Sequence, residues 1–199
     1  ASAEARHMAI ARRKEILVGT NQYPNINEKA ADKIKDKASC GCCGGESHKC
    51  QPEYETLHFE RGASDFETLR EKSDKQPVVF MLTIGNLAMR LARSQFSGNF
   101  FGCAGYKIVD NLGFNTIQEG VDAAIEAKAD IVVLCSSDDE YATLAPEAKA
   151  ALGDKAILVV AGAPECMEEL KAQGIDQFIN VRSNVLDTLK AFNAKLSIH

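Results

Sequence analysis

No apolar run in this sequence approaches the about 18–20 residues that a bilayer span needs, which excludes a membrane-spanning protein. Basic residues are outnumbered, with 23 Lys and Arg against 28 Asp and Glu and a net charge of −5. That balance lacks the basic footprint of nucleic-acid binders. Histidine is absent between Phe59 and Ile198, so a histidine general base is unavailable through that stretch. Seven cysteines cannot all pair within one chain, which excludes a complete disulfide framework. The start, Ala1 to Arg13, is charged and has no long apolar stretch, so a secretory signal is not expected. It also lacks an initiator methionine, as expected of a fragment.

What is present is ordinary for a globular chain: 199 residues, 45% hydrophobic and 26% charged. That length accommodates one domain plus an extension, or two small domains. Cys103, Cys135 and Cys166 sit singly in apolar surroundings and read as small buried hydrophobes of a reducing cytoplasm.

Residues 1–76 show no clear alternation of strand and helix. Ala1 to Lys14 reads as a helix, Thr20 to Asn25 as a loop and Glu28 to Lys37 as a polar helix. Ser64-Asp65-Phe66-Glu67 has capping-box spacing and opens a helix to about Ser73. With few residues to build its own core, this extension is expected to wrap on something else.

Residues 77–199 repeat strand then helix. The predicted strands are Val78–Gly85, Tyr106–Asp110, Ile131–Cys135, Ala156–Gly162 and Gln177–Val181. The predicted helices are Asn86–Phe101, Thr116–Ala127, Tyr141–Leu152, Pro164–Gln173 and Asn184–Leu196. Continuous apolar strands imply burial on both faces, hence a doubly wound α/β fold with five parallel strands. Such sheets place sites beyond the carboxyl ends of their strands.

Three constellations follow. The loop Thr83 to Arg90 holds one glycine, Gly85, and matches neither a dinucleotide fingerprint nor a phosphate loop, so it reads as a plain strand-to-helix turn. Cys135-Ser136-Ser137-Asp138-Asp139-Glu140 could serve acid–base work or a hard cation, but reads first as a cap for the next helix. Cys40, Cys42, Cys43, His48 and Cys50 offer zinc-type ligands without the usual spaced pairs. The alternatives for that cluster are a free thiol-rich loop or an oxidation-prone one.

The stretches Pro77 to Ala88 and Arg93-Ser94-Gln95-Phe96-Ser97-Gly98-Asn99-Phe100-Phe101-Gly102-Cys103-Ala104-Gly105 resemble the cobalamin-binding domain of acyl-CoA mutases, and within it the methylmalonyl-CoA mutase small-subunit family. Val18 to Asn25 and Arg61 to Arg70 are similar to the family segment that joins a substrate barrel to that domain. The resemblance implies a flavodoxin-like, cobalamin-binding-type domain at 77–199 behind a mostly helical or irregular linker at 1–76. It also implies a non-catalytic role beside a large subunit that holds adenosylcobalamin and substrate, the heterodimer interconverting (R)-methylmalonyl-CoA and succinyl-CoA. The acyl-CoA site belongs to a barrel of about 200 residues or more, which this chain is too short to contain.

Cobalamin-binding relatives carry D-x-H-x-x-G after the first strand, where the His ligates cobalt and the Asp orients it. The matching positions here are Leu87, Met89 and Ala92. The family S-x-L falls on Ser136 to Asp138, and the Gly-Gly after the fourth strand becomes Ala161-Gly162. The resemblance therefore implies that this chain binds no cobalamin by His ligation. Two other readings stand beside it: a free-standing module binding another small ligand at the strand ends, and a metal-binding fragment centred on Cys40–Cys50.

Overall fold

A computed structural model of the chain describes residues 2–28, 61–71 and 76–198. The Cys40–Cys50 cluster and most of the polar helix predicted from Glu28 lie outside the described residues.

The elements run α1 (Ser2–Ala11), α2 (Ser64–Glu71), β1 (Val78–Thr83), α3 (Leu87–Gly102), β2 (Lys107–Val109), α4 (Ile117–Glu126), β3 (Ile131–Cys135), α5 (Tyr141–Leu152), β4 (Ile157–Ala161), α6 (Met167–Ala172), β5 (Phe178–Ile179) and α7 (Val185–Lys195). The strands form one sheet in the order β2-β1-β3-β4-β5, and every pairing is parallel. Successive side chains of a strand point to opposite faces, so each strand feeds two cores. Val79, Met81, Ile131, Val133, Val159 and Ile179 meet Phe100 and Phe101 of α3 and Leu189 and Phe192 of α7. Phe80, Leu82, Val132, Leu134, Leu158 and Val160 meet α4, α5 and α6 on the other face.

Local chemistry sets the helix starts. Asn86 caps α3 by accepting the Met89 N–H at 3.1 Å. Thr116 caps α4 by accepting the Glu119 N–H at 3.3 Å, as the Thr-x-x-Glu spacing predicts. α1 stops at Ala11, before Arg13 turns to a φ of 56°. The last strand is shorter than predicted because only Val160 and Ala161 of β4 pair with it.

The extension is part of this packing. Ile10 and Ala11 of α1 and Phe66 and Leu69 of α2 are buried in the same core as Phe100, Phe101 and Phe192. The Arg13 guanidinium lies over the Phe96 and Phe100 rings, 5.9 and 5.6 Å from their centroids. Buried Asn21 donates to the Ile10 and Glu15 carbonyls at 2.8 and 2.9 Å, fixing the turn after α1. Arg70 of α2 donates to the Asn25 carbonyl at 2.5 Å, joining the two pieces of the extension.

Candidate functional site

At the carboxyl ends of β1, β3 and β4, the carboxylates of Glu140 and Asp138 stand against Gly85 and Gly162. Gly85, just past the end of β1, holds a φ of +77°. The Glu140 carboxylate rests on it. Its Oε2 accepts the Ser136 hydroxyl at 2.5 Å, the Ser137 hydroxyl at 2.7 Å, the Ser137 N–H at 3.3 Å and the Asn86 N–H at 3.5 Å. Bonds of this kind favour the ionised form. The Ser136 and then the Ser137 hydroxyl hold the Glu140 carboxyl at about 2, well below its ordinary value.

Glu140 precedes α5, yet none of its side-chain oxygens caps that helix. The capping role expected of Ser136 to Glu140 is therefore corrected: the carboxylate turns back to the loops after β3 and β1. Tyr141 braces the same corner. Its buried hydroxyl accepts the Ser136 N–H at 3.0 Å and donates to the Ala161 carbonyl at 2.7 Å, tying β3 to β4. Burial pushes that phenol up.

Asp138 fills the neighbouring gap. Arg93 of α3 donates through Nη2 to both Asp138 oxygens, at 3.0 and 3.1 Å. A β-carbon on Gly162 would stand 2.7 Å from Asp138 Oδ1. Ala161 and Gly162 are both buried beneath this pair.

The remaining predicted positions lie on the first turns of α3. Leu87 is 60% exposed, Met89 is half-buried and Ala92 is exposed. None is brought against Ser136, Asp138 or Gly162 by a hydrogen bond, and none of the three carries an imidazole or a carboxylate. Among the described residues, no group of three His, Cys, Asp or Glu is placed to hold a metal. Cys103 and Cys135 are buried free thiols, as expected, whereas Cys166 is only half-buried. Burial pushes the Cys135 thiol up to about 12.

Sequence reasoning missed Arg93 as a site residue. Its partner lies 45 residues away, and no local spacing signals such a pair.

Parallel strands in the order β2-β1-β3-β4-β5 define a flavodoxin-like α/β domain. No family model matches the chain. It is 61% identical over 196 residues to the methylmalonyl-CoA mutase small subunit of Porphyromonas gingivalis, which covers 97% of this chain and 31% of that protein. It is 30% identical over 148 residues to the methylmalonyl-CoA mutase small subunit of Streptomyces virginiae, covering 74% of this chain and 23% of the relative. A probable methylmalonyl-CoA mutase small subunit of Mycobacterium tuberculosis is 26% identical over 198 residues, covering 94% and 29%. The chain belongs to the methylmalonyl-CoA mutase small-subunit family. It spans less than a third of the length of the first of these relatives.

Proposed function

We propose that this chain is the C-terminal part of the non-catalytic small subunit of a heterodimeric, adenosylcobalamin-dependent methylmalonyl-CoA mutase. In this reading the large subunit holds cofactor and substrate and isomerises (R)-methylmalonyl-CoA and succinyl-CoA in the cytoplasm. The present chain contributes packing surface, with 1–76 as the strap from an upstream barrel and 77–199 as the domain it joins. The burial of Ile10, Ala11, Phe66 and Leu69 in the domain's own core supports a strap rather than a separate unit.

The observation that supports the reading is the pair of carboxylates that stand against Gly85 and Gly162. The residues present do not fit a cobalamin. Glu140 and Asp138 lie where β-carbons on Gly85 and Gly162 would already collide with them. By the family resemblance, Met89 matches the position of the cobalt-ligating imidazole. The chain is therefore read as holding no cobalamin, and no step of the reaction is assigned to it.

The test is co-expression with a large subunit carrying cobalamin. Stable co-elution, with all of the cobalamin following the large subunit after the two are separated, is the expected result. Failure to associate would favour a free-standing ligand-binding module instead.

A further inference from the structure

A second opening lies on the other side of the Arg93–Asp138 pair, between the loops after β3, β4 and β5. It is a cavity of about 570 Å³ lined by Arg93, Asp138, Met167, Asn180, Arg182 and Ser183, among others. That volume lies in the range of small-molecule sites.

Its polar wall is rich in donors. Arg93 gives one nitrogen to Asp138 and leaves its buried Nε–H without a partner. Among the described residues, the exposed Arg182 guanidinium has no hydrogen-bond or ion-pair partner, and its backbone N–H donates to Asn180 Oδ1 at 2.9 Å. That bond fixes the Asn180 carbonyl oxygen and leaves its NH₂ group available. Ser183 accepts the Asn180 N–H at 3.0 Å, which leaves its own O–H to donate. Against two guanidiniums, an amide and a hydroxyl stands one carboxylate, Asp138. Guanidinium pairs with a phosphate through parallel, charge-assisted hydrogen bonds and outbinds a single ammonium there.

We propose that this cavity binds a phosphate-bearing ligand between Arg93 and Arg182, and that Asp138 competes with it for Arg93. The volume exceeds that of one phosphate, so the ligand is a phosphate ester or a diphosphate. The phosphate group is the shared chemistry of the two.

The test is calorimetric titration of the 199-residue chain with inorganic phosphate and with inorganic pyrophosphate, at matched ionic strength in potassium chloride. One saturable site is expected. Tighter binding of pyrophosphate marks a diphosphate ligand, and equal binding marks a monoester. Arg182→Gln, an exposed change that leaves the fold intact by circular dichroism, is expected to weaken binding about tenfold, or roughly 1.4 kcal/mol. Asp138→Asn is expected to strengthen it severalfold. Absence of saturable heat, unchanged binding in R182Q, or unchanged or weaker binding in D138N would each overturn the proposal.

Discussion

The Glu140 carboxylate lies directly on Gly85, so that a β-carbon there would stand 2.3 Å from Glu140 Oε2. Gly85 also holds a left-handed φ of +77°, a conformation that costs other residues about 1–2 kcal/mol. Gly85→Ala is therefore expected to destabilise the chain by roughly 2 kcal/mol or more in urea denaturation. In a Glu140→Ala background the same change should cost less, because the steric part is gone while the backbone part remains. Additive costs in the double variant would contradict this contact.

Glu140 also ties stability to pH. A carboxyl whose folded pKa lies below its unfolded one stabilises the fold above the unfolded value, and the contribution fades as pH falls through the folded value. Glu140 sits at about 2, below its ordinary 4.5. Wild-type Tm should thus fall between about pH 5 and pH 2 by more than that of Glu140→Gln. Parallel Tm curves for the two proteins would show that the hydroxyls of Ser136 and Ser137 do not hold the charge.

Tyr141→Phe isolates the brace between β3 and β4. The ring stays, while the Ser136 N–H and Ala161 carbonyl lose a buried partner. A loss of about 1–3 kcal/mol is expected by chemical denaturation, and an unchanged midpoint would mean that both groups find other partners.

Phe66→Ala tests whether the extension shares the domain's core. Phe66 is 1% exposed and belongs to the cluster around Phe100, Phe101 and Phe192. Truncating a buried phenylalanine typically costs about 3–5 kcal/mol. The whole sheet should melt earlier in one transition. A separate early transition, with the main one unmoved, would mean that the extension folds on its own.

Much of the sheet was legible in the sequence. β3 at Ile131–Cys135 and α5 at Tyr141–Leu152 fall where the apolar run and the helical spacing put them, because both are bounded by polar or glycine residues and buried by their neighbours. β5 and α6 came out shorter than predicted. An edge strand is defined by what it pairs with, and local composition does not carry that information. The cleft was legible only in part. Leu87, Met89, Asp138 and Ala161 could be read as departures from a family pattern. The direction taken by the Glu140 carboxylate could not, because it depends on Gly85 and Asn86, which the fold brings to it from more than 50 positions away. Arg93 escaped notice for the same reason.

In our proposal, Glu140 and Asp138 keep cobalamin from the carboxyl ends of β1, β3 and β4. The most direct test is gel filtration of the purified chain after saturation with hydroxocobalamin, followed by visible absorbance of the protein peak. A colourless peak is the result this account expects. A pink peak with stoichiometric cobalamin would contradict it.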